Sequence, residues 1–371
     1  MKKIPLFDLK RQNSPLEKKI FKSWKKIYHN SDFTSGKETD LFEQEFAKFC
    51  NVKYALGVHS GTDSLIISLK AAGLKYGDEV ITTPCTFSAS SDAIINIGAI
   101  PVFADIQPDT GNIDPKEIAK KITIKTKAIL LVHLYGIPCD MNEIMSLAKK
   151  NNIKIIEDAS HAHGSLYNGK PVGSFGLAGC FSLYPSKSLG ALGNAGIITS
   201  NNKKFIMDAR MFASHGIKNI ETKYVHHVNG FNELIDNLQS AALINKLPNL
   251  NIIIKKKLEI AKKYNEAFKA IGKIGMIWPE NVLPSIYVYS FQTKNRKKNA
   301  THFKKAGVST GIYYPTPLHL QPSMAFLKYQ KGDFPNAEKF FEQTLSLPIF
   351  AELSNNEVDR VVATIKKLHT I

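Results

Sequence analysis

Apolar and polar positions follow two different periods along the first two thirds of the chain. Helical spacing of apolar residues covers 41–50, 61–72 and 141–150, and the intervening 51–60 is predicted to be a turn. Continuous apolar runs lie in "GDEVITTP", "GAIPVFADI", "TKAILLVHLYG", "IKIIEDAS", "AGCFSLY" and "AGIITS". Such runs are typical of strands buried on both faces of a parallel sheet. The order predicts an α/β fold with helices on both sides of a mostly parallel sheet.

The pattern changes after about Asn251, where the alternation of strands and helices ends. A lysine-rich helical stretch reaches Ala270, and a strand is predicted in "SIYVYSFQT". Further helices are predicted near Ala300, Ala337 and Val358. We therefore expect two domains, a large one with an N-terminal arm over residues 1–250 and a smaller α+β domain over residues 251–371.

The charge of the chain is strongly positive, with 49 Lys and Arg against 32 Asp and Glu and a formal net charge of +17. Such an excess can indicate nucleic acid, an anionic membrane or small anionic substrates. The densest clusters, Lys255–Lys257 and Lys297–Lys298, lie on polar faces of predicted helices. This placement favours a solvated surface over a nucleic-acid groove.

The remaining composition is that of a globular protein, with 43% hydrophobic and 22% charged residues. The four cysteines show no CxxC spacing, which indicates neither a zinc site nor a disulfide framework. No signal peptide and no apolar stretch of about 20 residues is present, so we expect a cytoplasmic protein without a membrane partner.

Ligands of open parallel sheets bind beyond the carboxyl ends of the strands, and polar residues occur there in this chain. Asp158 ends one apolar run, and a buried carboxylate needs a cation or several donors; a structural helix cap or ion pair is the alternative. Lys187 follows 29 residues later in "FSLYPSKSLGALGNAG". It is either one more surface lysine or an amine that is nucleophilic because its surroundings are desolvated.

The residue spacing in two other motifs disfavours a metal site and a dinucleotide site. His161 and His163 are two residues apart, but no further ligand is spaced to complete a metal site, so no metal is predicted. The glycines after Lys187 are spaced GxxGxxG and precede a strand, which disfavours a dinucleotide site. In contrast, Ser60-Gly61-Thr62 starts a predicted helix, where free N–H groups and the helix dipole favour an anion.

Together these residues fit pyridoxal phosphate. The phosphate would lie at the helix start formed by residues 60–63, the ring against Phe87, the pyridine nitrogen against Asp158 and the aldehyde on Lys187. The hydroxyl of Ser182 precedes the lysine in the same stretch.

Ordered motifs over nearly the whole chain carry a family resemblance. They are "IPLFDLKRQ", "FCNVKYALGVHSGTDSL", "GDEVITTPCTFSAS", "PVFADIQPDTGNIDP", "VHLYGIPCDM", "IIEDASHAHGS", "FSLYPSKSLGALGNAG", "GIYYPTPLHLQP" and "LSLPIF". The sequence resembles the DegT/DnrJ/EryC1/StrS sugar aminotransferases, which have the aspartate-aminotransferase fold (fold type I). The resemblance implies a seven-stranded, mostly parallel sheet and a pyridoxal phosphate cofactor.

The resemblance also implies roles for single residues. Lys187 would bond to the cofactor aldehyde and later carry the proton between substrate and cofactor carbons, while Asp158 would keep the pyridine nitrogen protonated. The implied phosphate contacts are Gly61, Thr62, Asp63 and Ser182, with Asn232 from a neighbouring subunit of a homodimer. Phe87 would stack on the ring and His161 would face its phenolic oxygen. The implied substrate contacts are Tyr184, Tyr313, Tyr314 and His319.

Four positions depart from the family pattern. His161 replaces a frequent glutamine and titrates near neutral pH as a free side chain, so cofactor electronics or pH dependence are expected to differ. The other three are Asn194 for aspartate, Leu234 for arginine and Tyr313 for histidine. These three bear on the substrate and leave the cofactor assignment unchanged.

The expected reaction is transfer of an amino group, with L-glutamate as donor, to a nucleotide-linked keto sugar. The start of the chain and "YYPTPLHLQP" most resemble enzymes acting at C3 of dTDP-3-oxo-6-deoxyhexoses. Enzymes acting at C4 of UDP- or dTDP-4-keto sugars are an alternative. A sugar dehydratase of the same family is a weaker one, because that branch replaces the lysine by histidine. A regulator that has kept the fold is supported by the charge alone.

Overall fold

The computed structural model describes residues 3–218 and 224–370 of the 371-residue chain. The strands are β1 Tyr54–Val58, β2 Glu79–Thr82, β3 Ile100–Phe103, β4 Thr126–Val132, β5 Lys154–Asp158, β6 Leu166–Tyr167, β7 Lys170–Pro171, β8 Ala178–Ser182, β9 Gly196–Ser200, β10 Val282–Leu283, β11 Tyr289–Gln292 and β12 Thr344–Leu347. The helices are α1 Leu9–Asn13, α2 Glu17–Asn30, α3 Lys37–Phe49, α4 Gly61–Ala71, α5 Ala89–Asn96, α6 Pro115–Lys121, α7 Met141–Lys150, α8 Lys203–Ala213, α9 Asn237–Lys246, α10 Leu250–Lys269, α11 Arg296–Lys305, α12 Pro335–Gln343 and α13 Asn355–Lys366.

A seven-stranded sheet in the order β1-β9-β8-β5-β4-β2-β3 forms the centre of the molecule. All neighbouring pairs are parallel except those of β9, which runs antiparallel to both β1 and β8. The prediction of a seven-stranded, mostly parallel sheet is therefore confirmed. In the register of this sheet, Val132 lies opposite Asp158, and Asp158 lies opposite Cys180.

One predicted element is wrong. The stretch predicted to be a turn before α4 contains β1, an edge strand of five residues that pairs with β9 in the register Tyr54 to Ser200. A short edge strand gains its hydrogen bonds from a partner far away in sequence, and local patterns carry little of that information.

Helices cover both faces of the sheet because successive strand residues point to opposite sides. In β4, Ala128 and Leu130 face a core that contains residues of α4, α5 and α8. The intervening Ile129 and Leu131 face a core that contains residues of α6 and α7. Both faces of β4 are thus apolar, which explains its nearly continuous hydrophobic run.

The C-terminal part packs α10–α13 around the antiparallel pair β11–β12. Aromatic side chains fill this core, among them Phe268, Phe291 and Phe341. The same core takes in Phe103 and Tyr135 from the sequence before residue 250, so the proposed division at residues 250 and 251 stays a prediction.

The N-terminal arm is held against both parts of the molecule. Ile4 pairs with Val308 through a parallel bridge, and the guanidinium of Arg11 donates to both carboxylate oxygens of Glu357 at 2.7 and 2.9 Å. Helix α2, which the sequence did not predict, packs against α9. Within residues 3–218 and 224–370, none of the helices has the length and apolar character needed to span a bilayer.

Candidate active site

A cavity of about 370 Å³ opens at the carboxyl ends of β4, β5 and β8, where ligands of such sheets bind. It brings together most of the residues that the sequence singled out. Those lining it are Gly61, Thr62, Phe87, Asp158, His161, Ser182, Tyr184, Lys187 and Tyr314, together with Ser60, Thr86, Ser160, Asn194 and Tyr287.

One wall of the cavity is the start of α4. The N-cap is Ser60, whose Oγ accepts from the Asp63 N–H at 3.1 Å and donates to the Asp63 carboxylate at 2.5 Å. The side chain of Asp63 is thereby turned to Ser60 and does not line the cavity, whereas Gly61 and Thr62 do. N–H groups of the first helical turn have no acceptor within the helix, so this wall can bind an anion.

Glycines allow the backbone to come close at this wall. A Cβ on Gly61 would lie 2.5 Å from the Cβ of Ser182, and a Cβ on Gly196 would lie 2.2 Å from the carbonyl oxygen of Ser60. Strand β9 and the end of β8 can approach the anion-binding turn because side chains are missing at these two positions. Gly196, the last of the glycines after Lys187, therefore serves a contact within this chain.

The floor of the cavity carries the carboxylate of Asp158, at the end of β5 and 6% exposed. Its Oδ2 accepts from the Ser90 hydroxyl at 2.9 Å, and its Oδ1 accepts from the Ser160 N–H at 3.1 Å. The Oγ1 of Thr86 lies 3.3 Å from the Oγ of Ser90 and extends the network. These two donors fix the orientation of the carboxylate at the floor of the cavity.

The adjacent carboxylate, Glu157, does not line the cavity, and its contacts stabilise the fold. It is fully buried, and its oxygens accept from the N–H groups of Gly173, Phe175 and Gly176 at 2.6, 2.8 and 2.8 Å. It also lies 3.2 Å from Nε2 of His133. Because side chains alternate along β5, Asp158 faces the cavity whereas Glu157 binds backbone N–H groups on the other face.

Lys187 lies in the turn after β8, where its N–H donates to the carbonyl of Tyr184 at 2.8 Å. Its Nζ lies 4.5 Å from the centroid of the Tyr287 ring. Burial lowers the pKa of Lys187 to about 8, and the negative charge of Asp158 opposes part of this change. A larger fraction of this amine is unprotonated near neutral pH than for an exposed lysine, which suits a nucleophile.

His161 and Tyr287 stack on each other beside Lys187, with ring centroids 4.5 Å apart and an interplanar angle of 26°. Burial and then the positive charge of Lys187 lower the pKa of His161 well below its usual range. The expectation that His161 titrates near neutral pH is therefore wrong, and the imidazole is neutral there. Tyr287, two residues before β11, was not predicted as a site residue, and no local sequence pattern distinguishes it from the neighbouring Tyr289.

Three other predicted site residues lie outside this cavity. Tyr313 borders a second cavity, which also has Lys187 in its lining. His319 is 2% exposed, and its Nε2 lies 3.0 Å from a carboxylate oxygen of Glu338. Asn232 is exposed at the surface of the chain. The roles expected for these three residues, and for Asp63, stay predictions.

One lysine near the site is buried, although the sequence predicts it at the surface. Lys257 of α10 is 4% exposed, so the expected solvated surface at Lys255–Lys257 is wrong for its last member. The signal was present in the sequence, since Lys257 lies three residues after Ile254 and seven before Tyr264 on the buried stripe of the helix. The other two lysines of the cluster are exposed.

The residues fit pyridoxal phosphate on the chemistry of their donors and charges. The helix start suits the phosphate, the Asp158 carboxylate suits a protonated ring nitrogen, and the Lys187 amine suits the aldehyde. The fold and the site together define a pyridoxal-phosphate-dependent transferase of fold type I.

The chain belongs to the DegT/DnrJ/EryC1/StrS aminotransferase family, whose sequence profile matches residues 15–366. It is 38% identical over 370 residues to a pleiotropic regulatory protein of Geobacillus stearothermophilus, covering 99% of this chain and 98% of the relative. It is 37% identical to the dTDP-3-amino-3,6-dideoxy-alpha-D-galactopyranose transaminase of Aneurinibacillus thermoaerophilus, covering 98% and 99%. It is 34% identical to the UDP-2-acetamido-2-deoxy-3-oxo-D-glucuronate aminotransferase of Pseudomonas aeruginosa, again covering 98% and 99%.

Solved structures agree with this assignment. The crystal structure of DesV from S. venezuelae superimposes with a TM-score of 0.96 at 31% identity, covering 100% of both chains. NtdA from Bacillus subtilis, solved with bound cofactor PMP, gives a TM-score of 0.93 at 29% identity, covering 100% of this chain and 86% of that one. The chain is a pyridoxal-phosphate-dependent aminotransferase that acts on sugar nucleotides.

Proposed function

We propose that this enzyme transfers an amino group from L-glutamate to C3 of a dTDP-linked 3-oxo-6-deoxyhexose. The observation that carries the amino transfer is the single cavity that holds the Lys187 amine, the Asp158 carboxylate and the start of α4. The position C3 is supported by relatives whose names specify a 3-amino or 3-oxo sugar, one linked to dTDP and one to UDP.

Pyridoxal phosphate, when bound, supplies the electron sink that allows an amino group to pass between two carbonyl compounds. We assign to Lys187 Nζ the covalent hold on the cofactor and the movement of the proton at the reacting carbon. Asp158 holds a proton at the ring nitrogen, supported by its two donors. The N–H groups of Gly61 and Thr62 and the hydroxyl of Ser182 bind the phosphate.

Phe87, Tyr184 and Tyr314 form the aromatic part of the cavity lining. Phe87 is 55% exposed and lies 5.6 Å from the ring of Tyr314, so it can cover a flat ring that enters from solvent. Asn194 is exposed at the same mouth, which makes it a candidate contact to the sugar nucleotide. His161 faces the cofactor as a neutral imidazole. Tyr313 and His319 remain candidate substrate contacts.

The net charge of +17 suits both substrates, because a nucleotide diphosphate sugar and glutamate are anionic. A cytoplasmic location, expected from the sequence, remains part of the proposal.

The enzyme is further proposed to act as a homodimer with shared sites. Asn232 is exposed and outside the cavity of its own chain, which leaves its side chain available to a second copy. The phosphate of one site would then be held by the partner subunit's Asn232.

The test is a matched panel of 3-oxo and 4-oxo sugars, each linked to dTDP or UDP, assayed with glutamate and followed by product mass. We expect the dTDP-linked 3-oxo-6-deoxyhexose to gain an amino group fastest, with Lys187→Ala as the inactive control. Preference for a 4-oxo sugar or a UDP sugar would contradict the substrate assignment. Amination of no panel member would contradict the proposed function as a whole.

A further inference from the structure

Lys257 contacts the reactive loop from outside the cavity described above. Its Nζ donates to the Oγ of Ser188 at 3.1 Å, and Ser188 is the next residue along the chain from Lys187. Lys257 belongs to α10, whereas the loop follows β8, so this contact joins two elements that are distant in sequence. Lys257 is not among the residues that line the 370 Å³ cavity, so it acts on the reactive amine from outside that cavity.

A second, small cavity of about 50 Å³ contains both lysines in its lining. Both amines approach the ring of Tyr287, since the Nζ of Lys187 and the Nζ of Lys257 lie 4.5 and 6.0 Å from its centroid. Asp8 from the N-terminal arm and Glu352 from the segment after β12 also line this space. The two amines thus lie near the same ring and border the same small cavity.

The charges that face the pair come from several elements. Asp158 attracts the charge of Lys187, and Glu352 attracts that of Lys257. The nearby His161 and His163 are neutral, because burial and the positive lysines lower both their pKa values, that of His163 to about 3. Burial also lowers the pKa of Lys257 to about 7. Two like charges that lie near one buried ring repel each other, so we expect a proton on one amine to disfavour a proton on the other.

We propose that Lys257 is a positioning residue for the Lys187 amine: it anchors the loop at Ser188 and sets the charge beside Nζ of Lys187. This inference rests on the reactive role proposed for Lys187. It follows that a permanent positive charge at position 257 releases the proton of Lys187 more readily, and that a neutral side chain there retains it longer.

A second buried lysine also holds the loop that follows Lys187. Lys246 of α9 donates to the carbonyl oxygen of Gly190 and to Oδ1 of Asn13, the latter at 2.8 Å. The loop after Lys187 is therefore held at two points by amines from consecutive helices. Of the two, only Lys257 shares a cavity with Lys187.

The test compares Lys257→Arg, Lys257→Met and the wild type in the full-length protein freed of cofactor. Each is exposed to a trace of acetic anhydride over a pH series, and acetylation of Lys187 is measured by mass spectrometry. The proposal predicts titration midpoints for Lys187 in the order arginine variant, wild type, methionine variant from lowest to highest, with each step about half to one pH unit. Lys255→Met, at an exposed position on the same helix, should match the wild type.

Equal midpoints in the three proteins would overturn the proposal. If Lys257→Met does not fold, the test rests on Lys257→Arg. A lower titration midpoint of Lys187 in that variant than in the wild type supports the proposal, and an unchanged midpoint overturns it. The small cavity beside Lys257 leaves room for the larger guanidinium. Because the labelling needs no cofactor and no sugar, its result is separate from a failure of the proposed function, which would appear as absent amination in the substrate panel.

Discussion

The Nζ of Lys187 lies 4.5 Å from the centroid of the Tyr287 ring. His161 stacks on the same ring as a neutral imidazole, so an aromatic surface borders the amine on this side. Asp158 supplies an attractive negative charge, but burial outweighs it and the pKa of Lys187 falls to about 8. The arrangement keeps the amine available as a nucleophile without a neighbouring base.

The ring of Tyr287 should matter more than its hydroxyl. The hydroxyl lies 3.2 Å from the Oγ of Ser186, one neutral hydrogen bond worth about 1 kcal/mol. Tyr287→Phe should therefore lower kcat/KM by about fivefold or less, whereas Tyr287→Leu, which removes the surface beside the amine, should lower it about tenfold or more. Steady-state kinetics on the best panel substrate measures both. Equal losses of kcat/KM in the two variants would show that the ring contributes no more than the hydroxyl.

The two adjacent carboxylates of β5 should respond differently to neutralisation. Asp158→Asn keeps the shape but removes the charge at the cavity floor, and we expect kcat to fall by roughly 100-fold with little change in the free energy of unfolding. Glu157→Gln disturbs three buried backbone donors and should cost about 1–3 kcal/mol of unfolding free energy. Kinetics and urea unfolding of both variants check this. A catalytic loss in the folded Glu157→Gln protein equal to that of Asp158→Asn would contradict the assignment.

The phosphate wall should not tolerate a side chain on β9. In Gly196→Ala the new Cβ would lie 2.2 Å from the carbonyl oxygen of Ser60, so the first turn of α4 must shift. We expect pyridoxal phosphate to bind at least about tenfold more weakly, measured by equilibrium titration. Gly193→Ala is the matched control, because its Cβ would meet only the end of the flexible Gln239 side chain at 2.9 Å. Equal affinity in the two variants would refute the close approach.

The buried Lys257 should make stability depend on pH. Its pKa is about 7 in the folded chain and about 10.4 when unfolded, so between these values the unfolded state binds more protons. Stability contributed by this group therefore rises with pH from about 7 to about 10 and is lost as the pH falls through its folded pKa. In Lys257→Met the increase should be shallower by up to about one proton, measured by urea unfolding at each pH. Lys255→Met should follow the wild type, and a slope unchanged in Lys257→Met would contradict the prediction.

Shared sites should allow two inactive variants to complement each other. A dimer of one Lys187→Ala chain and one Asn232→Ala chain contains one site with both changes and one site with neither. Mixing equal amounts after subunit exchange should restore about a quarter of the wild-type activity. Activity that stays at the level of the separate variants would contradict the contribution of the partner subunit's Asn232.

The sequence predicted the sheet and the centre of the site because both depend on local patterns. Continuous apolar runs mark strands such as β4, and the polar residues that follow them must meet at one edge of a parallel sheet. Asp158 and Lys187 accordingly line one cavity with the start of α4. The family was identified from the resemblance, which the sequence profile confirms, and the cofactor agrees with a superimposed structure that holds PMP.

The remaining features depend on contacts between distant segments. Strand β1 is stabilised by pairing with β9, and Tyr287 reaches Lys187 only because the segment before β11 folds against the large sheet. Lys257 was assigned to the surface because its neighbours in sequence are lysines, although its position on the apolar stripe of α10 indicated burial. Composition alone does not report which member of a charged cluster faces inward.

The covalent hold of Lys187 on the cofactor is the centre of the account, and one measurement addresses it directly. The protein is loaded with pyridoxal phosphate, reduced with borohydride, digested and analysed by mass spectrometry, with Lys187→Arg treated in parallel. We predict that the reduced cofactor is attached to the peptide containing Lys187 and is missing from that peptide in the variant. Attachment chiefly at another lysine, such as Lys257, or no attachment in the wild type, would contradict the account.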